Sequence, residues 1–169
     1  KGEGGGLLVN QCPHHLDVLQ WLCGMPTRVR GHCKLGKYHD IEVEDEVTAF
    51  LEFPNGATGV FIASTGEAPG IDRLGLFGDR GRILVTNSRN LTKKASVTFE
   101  RTELSIREHI ETSENPFDEP DTWQIELPFK DEAKPHQRLT RNFVEAITSG
   151  AELIAPGAEA ANSVELANA

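Results

Sequence analysis

The run Val43–Ile83, VEDEVTAFLEFPNGATGVFIASTGEAPGIDRLGLFGDRGRI, decides the fold. Within it and just past its end β-branched and aromatic residues gather into short segments, Glu46–Phe53, Thr58–Ser64, Arg73–Gly78 and Arg82–Thr86, with turn-forming residues between them. Pro54-Asn55-Gly56 is a hairpin signal, because Asn and Gly accept the positive φ that tight turns require, and Gly78-Asp79-Arg80-Gly81 serves the next pair. An antiparallel meander follows.

Outward from this run, Thr27–Leu35, Ser96–Arg101 and Thr122–Leu127 read as further strands. Toward the start, Leu16, Leu19, Leu22 and Cys23 recur at helical spacing, and Gly24 is placed to stop the helix. Pro13 is tolerated only in a first turn, so the regular helix is expected to begin between Asn10 and Pro13. Toward the end, Leu139, Phe143, Val144 and Ile147 share one face of a helix over Pro135–Thr148 that ends at Gly150, and a second helix begins at Ala158. Glu111–Pro120, acidic and broken by two prolines, reads as an exposed loop. The expected architecture is α+β: a predominantly antiparallel, open β-sheet with helices packed on one face, in one domain over residues 1–169.

The 169 residues, 38% hydrophobic and 25% charged, suit a soluble domain with a real core. A net charge of -9, with 17 Lys and Arg against 26 Asp and Glu, repels phosphate backbones and argues against nucleic acid. Cys12, Cys23 and Cys33 match neither a disulfide framework nor a zinc spacing, which fits reduced thiols in the cytoplasm. No apolar run approaches the roughly 20 residues that span a bilayer. The chain opens on Lys1 without a starting Met and stops in an Ala-rich helical pattern, so it reads as truncated at both ends.

The densest polar cluster is GGGLLVNQCPHHLDVLQWLCG, Gly4–Gly24. Asn10 and His14 are four apart, so on one helix both would project from the same face and could bind one substrate. Imidazole, with an unperturbed pKa of about 6.5, takes and returns protons near neutral pH, as oxidation of an alcohol requires. The plainer alternative is a helix-start histidine bonded to a nearby carbonyl. Asp17 either fixes the tautomer of His14 or serves within the helix as a cap or ion-pair partner. His15, about a hundred degrees round the helix, points elsewhere, and the Cys12, His14, His15 and Asp17 set lacks a second ligand cluster at zinc spacing, so no metal is expected.

Gly4-Gly5-Gly6, Leu8, Asn10, His14, Asp17, Trp21, Leu22 and Gly24 resemble the signature G-G-G-x-L-x-D/N-x-x-x-H-x-x-D-x-x-x-W-L-x-G of the Gfo/Idh/MocA oxidoreductases, in their C-terminal domain. Val43–Ile83 is similar to the central hairpins of that domain, and the NFVEAI and ELANA segments near the end also fit. The resemblance is weak between Asn87 and Thr122. It implies a nicotinamide-dependent dehydrogenase of a sugar, polyol or related cyclic hydroxyl compound, and an NAD- or NADP-binding Rossmann domain that this chain lacks. With no GxGxxG motif and no Glu-Lys-Pro lysine present, the chain by itself is expected to bind no cofactor and to be inactive.

On the same resemblance His14 aligns with the catalytic acid or base, and Asn10 with a position where the family often has aspartate. An amide has no useful pKa, so Asn10 orients a hydroxyl but accepts no proton. Asp17 and Arg73 are further candidate substrate contacts. Glu67 and Arg73 flank the STGEAPG turn, which the resemblance allows near the pocket and which otherwise reads as a solvated loop. Trp21 and Trp123 are assigned to packing, Trp21 with Leu22 toward the sheet. An exposed sheet face implies a homo-oligomer. Two other functions fit the same chain: half of a glycosidase that uses bound NAD, and a non-catalytic dimerisation or ligand-binding module.

Overall fold

The structure is a computed structural model that describes residues 4–86, 96–115, 117–127 and 135–169. Gly2 and Glu3 of the glycine run and Pro116 of the acidic loop lie outside the described residues. The elements are α1 (Leu7–Asn10), α2 (Pro13–Cys23), β1 (Arg28–Leu35), β2 (Glu44–Glu52), β3 (Thr58–Ser64), β4 (Arg73–Gly78), β5 (Gly81–Thr86), β6 (Ser96–Thr102), α3 (Ile106–Thr112), β7 (Thr122–Leu127), α4 (Pro135–Ser149) and α5 (Gly157–Ala167). They form two compact units, residues 1–68 with 134–169, and residues 69–133. The fold is α+β with antiparallel strand pairing, as the sequence predicts; the described strands form two sheets, β1-β2-β3 and β4-β5-β6-β7.

In the first unit β2 is the central strand and alternates strictly. Asp45, Val47, Ala49 and Leu51 point inward and are buried, while Thr48 and Phe50 are exposed. Register carries the alternation to both neighbours: Ala49 lies opposite Gly31 and Phe61, and Phe50 opposite Arg30 and Val60. The inner face is closed by α1, α2 and α5, whose Leu7, Leu16 and Leu166 join Val47, Leu51 and Phe53 in the core. Each such buried side chain contributes about 1.5–3 kcal/mol over an exposed one. The hairpin predicted at Pro54–Gly56 is present: Gly56 has φ +84°, its N–H donates to Phe53 O at 3.0 Å, and Asn55 Oδ1 accepts the Ala57 N–H at 3.0 Å.

Two packing expectations fail. The buried face of α2 is Leu16 and Gln20, with Leu19 and Cys23 half-buried against the core. Trp21 is 73% exposed and Leu22 points outward beside it, because the sheet takes the neighbouring stripe of a helix that is apolar on more than one side. The stripe Leu139, Phe143, Val144 and Ile147 of α4 is likewise exposed among the described residues. Instead α4 is tied to the chain that follows it by Asn142, whose side chain donates to Glu152 O at 2.8 Å and accepts the Ile154 N–H at 2.9 Å.

In the second unit four strands pair in order, with Leu76, Ile83, Phe99 and Ile125 aligned across one face. On the other face Arg82 pairs with Glu100. Trp123, assigned to packing from the sequence, is half exposed on the apolar face. Helix α3, absent from the sequence reading, starts at a capping box in which Ser105 Oγ accepts the Glu108 N–H at 3.2 Å and Glu108 accepts the Ser105 N–H at 2.8 Å. Arg80, from the β4–β5 turn, grips both Glu108 oxygens at 3.0 and 2.9 Å and so fastens the helix to the hairpin.

Candidate functional site

The first half of the signature folds as two helices. Pro13 is the first residue of α2, where its missing N–H leaves no gap. Before it the Cys12 N–H reaches back to Leu7 O at 3.0 Å, a wide turn that closes α1 and breaks the helical ladder. Asn10 therefore ends α1 and His14 is the second residue of α2, which corrects the expectation that both lie on one helix face. Both are exposed. Asn10 Nδ2 donates to Gly5 O at 2.6 Å, leaving the amide oxygen without a hydrogen bond among the described residues. The His14 ring has no hydrogen-bond partner among those residues. His15, next to it, is half-buried.

Asp17 makes no hydrogen bond or ion pair with His14 among the described residues. Its Oδ1 accepts Gln20 Nε2–H at 3.1 Å, and Gln20 Oε1 accepts Asn162 Nδ2–H at 3.3 Å, a chain of polar side chains that joins α2 to α5. Glu67 is exposed in the loop after β3, and Arg73 is exposed at the start of β4 in the other unit.

Close to α1 the structure assembles three consecutive acids that the sequence reading passed over. Glu44 Oε1 accepts the Leu8 N–H at 3.0 Å, at the first turn of α1. Asp45 is fully buried and gathers the backbone N–H groups of Lys37, Tyr38 and His39 at 2.9, 2.6 and 3.1 Å. Burial pushes its carboxyl up, but the three amides outweigh that and hold it below the usual carboxylate range. Thr65 adds its N–H to Asp45 O at 3.0 Å, and its hydroxyl lies 3.1 Å from His39 Nδ1. Glu46 takes the Lys37 ammonium and, at 2.8 Å, the Tyr38 hydroxyl. The lysine beside it holds Glu46 below its ordinary value, and Lys37 is pushed up to about 12. A signal for Asp45 was present in the sequence: in the alternation of β2 it falls on the same face as Val47, Ala49 and Leu51, where a carboxylate must find donors.

The glycine run does not fit a nucleotide phosphate. The Glu44 carboxylate already sits at the first turn of α1, and a Cβ placed on Gly6 would lie 2.2 Å from Glu44 Oε2. An anion there would meet like charge. Among the described residues no three His, Cys, Asp or Glu side chains converge as metal ligands. The first unit contains a cavity of about 290 Å³, lined by Leu8, Val29, Val47, Phe61 and the end of α5, which is apolar and holds none of the candidate polar groups.

Residues 1–84, which include the whole α1–α2 segment and its acidic neighbours, match the GFO/IDH/MocA C-terminal domain. Over these residues the chain belongs to the Gfo/Idh/MocA family. Solved structures of similar fold include aldose-aldose oxidoreductase from Caulobacter crescentus complexed with glycerol, 18% identical with a TM-score of 0.72 over 98% of this chain and 44% of that one. Another is the WlbA dehydrogenase from Bordetella pertussis in complex with NADH and UDP-GlcNAcA, at 22%, 0.66, 97% and 41%. A third is UDP-N-acetylglucosamine 3-dehydrogenase from Acidithiobacillus ferrooxidans, at 15%, 0.70, 96% and 45%. The Gfo/Idh/MocA domain described here thus spans less than half the length of each of these chains. No curated protein matches it in sequence.

Proposed function

We propose that this chain is the substrate-binding and catalytic half of an NAD(P)-dependent oxidoreductase of a sugar, polyol or related cyclic hydroxyl compound, acting in the cytoplasm. One observation carries the reading: His14, in the family segment, is exposed and without a hydrogen-bond partner among the described residues, four positions from an Asn10 whose amide oxygen is equally unused. Support for the reaction class comes from the dehydrogenases and oxidoreductases of the same fold. We assign binding of the nicotinamide to another domain of the full-length protein. In this chain, Asn10 Oδ1 accepts a hydrogen bond from the substrate hydroxyl while Nδ2 stays anchored on Gly5. The His14 imidazole takes or returns the hydroxyl proton. Asp17 contributes by holding α2 to α5 through Gln20.

The test is steady-state turnover of the full-length protein on a panel of sugars and polyols with NAD and NADP. Removing a general acid–base lowers rates by about 10²–10⁴-fold. His14→Ala should show a loss of that size with NAD(P) binding retained. Unchanged turnover in the variant removes the assignment.

A further inference from the structure

We infer that Glu44 is a positioning residue for Asn10, an inference that rests on the reading of Asn10 and His14 as the substrate site. Glu44 is 36 positions from Leu8 in sequence, yet its carboxylate accepts the first-turn amide of α1. It also presses on the backbone just before it. A Cβ on Gly6 would lie 2.2 Å from Glu44 Oε2 and 2.6 Å from the Glu44 carbonyl oxygen, so only glycine lets this strand approach the helix start. The carbonyl of Gly5 belongs to the peptide plane that joins Gly5 to Gly6, and it is the acceptor of Asn10 Nδ2 at 2.6 Å. The Asn10 N–H in turn donates to Gly6 O at 3.0 Å. Asn10 is therefore tied, through side chain and main chain, to the two carbonyls that flank the segment clamped by Glu44.

The clamp has work to do because α1 has four residues, too few to hold its shape by its own hydrogen bonds. With the carboxylate removed, no other side chain among the described residues accepts the Leu8 N–H. The Gly5–Gly6 peptide is then free to rotate and carry the Gly5 carbonyl away from the Asn10 amide. The amide oxygen that meets a substrate hydroxyl would lose its fixed direction, while His14, on the far side of the Pro13 start of α2, keeps its place. Glu44 thus acts on binding and not on proton transfer.

The experiment is a double-mutant cycle in the full-length protein with Glu44→Ala, Glu44→Gln and Asn10→Ala, read as KM and kcat on whichever sugar or polyol the wild type turns over. One well-placed hydrogen bond corresponds to about a tenfold change in affinity. Glu44→Ala should raise KM by about that factor at nearly unchanged kcat. Glu44→Gln, which keeps an acceptor for Leu8, should restore most of it, and Glu44→Ala should have no further effect on KM in the Asn10→Ala background. Selective ¹⁵N labelling of asparagine should show the Asn10 side-chain amide signals move in Glu44→Ala and stay in Glu44→Gln. Additive KM losses, or Asn10 amide signals indifferent to Glu44→Ala, overturn the inference. The His14→Ala turnover assay judges the site reading separately, so a failed site and a failed clamp give different patterns.

Discussion

Asp45 accepts the backbone N–H of Tyr38 at 2.6 Å from a position with no solvent exposure, at the point where β2 leaves the loop that precedes it. With the Lys37 and His39 amides on the same carboxylate, one buried side chain closes the β1–β2 connection from inside. Its neighbours in sequence face the other way in function: Glu44 holds the first turn of α1, and Glu46 holds Lys37 and Tyr38.

Replacing Asp45 by Asn leaves a shape match but sets an NH₂ group against three N–H donors, so the loop loses its acceptor. The expected result is a melting temperature lower by several degrees at neutral pH. The folded carboxyl is held below its unfolded value, so its contribution is present above the unfolded carboxylate pKa of about 3.9 and is lost as pH falls through the folded value. The gap between wild type and Asp45→Asn should therefore be constant from neutral pH to about 5 and close in stronger acid. Thermal melts across that range measure it; a gap that widens in acid contradicts the assignment.

Leu51 is 2% exposed near the C-terminal end of the central strand, in the core that the sheet forms with the helical layer. Leu51→Ala should destabilise the first unit by about 2–5 kcal/mol, the range for large-to-small changes in a filled core. Chemical denaturation followed by circular dichroism reports the change. Thr48→Ala, on the exposed face of the same strand, should stay within about 0.5 kcal/mol.

The strands were legible in the sequence because two independent signals agree in them: alternation, as from Val47 to Leu51, and turn residues at Asn55-Gly56 and Asp79–Gly81 that set the pairing partner. The helices were legible in extent but not in orientation. Helix α2 carries Leu16, Leu19, Val18, Trp21 and Leu22 around more than half its circumference, so periodicity alone does not say which stripe the sheet covers. Helix α3 escaped notice although Ser105 and Glu108 have capping-box spacing, since the prolines that follow it dominate the reading of that segment. For the candidate site, Asn10 and His14 were visible as residues. The turn between them was not, because the long Cys12-to-Leu7 hydrogen bond leaves no mark in composition.

On the outer face of the first sheet Phe50, Val60 and Ile62 are exposed side by side, framed by Arg30, His32 and Thr48 on the paired strands. If the protein assembles through this face, as proposed from the sequence, Ile62→Lys should shift the full-length protein toward monomer in sedimentation velocity, with the core intact. An unchanged sedimentation coefficient would assign the oligomer to another surface.

Gln20 is buried and holds Asp17 with one end and Asn162 with the other. Gln20→Ala removes both bonds, and losses of about 1–3 kcal/mol are usual when buried polar partners are left unmatched. Hydrogen exchange should quicken along α5, which is tied to α2 at this point, while the β4–β7 amides keep their rates. Unchanged exchange along α5 would mean that the Gln20–Asn162 bond does not hold the two helices together.

Asn10→Asp brings in the residue that the family often has at this position, and the structure says what it would do here. Aspartate has no N–H to give to Gly5 O, so the 2.6 Å bond becomes a contact between two acceptors and the side chain must turn outward. The variant should lose about 1 kcal/mol of stability, the net worth of one hydrogen bond. On the site reading proposed above, the full-length variant should also present a titrating carboxylate to the substrate, adding to the pH dependence of kcat/KM a limb in the carboxylate range that the wild type lacks. Thermal melts and a pH–rate profile test the two halves separately. A profile identical to that of the wild type would mean that Asn10 does not face the reacting hydroxyl, whatever its role in closing α1.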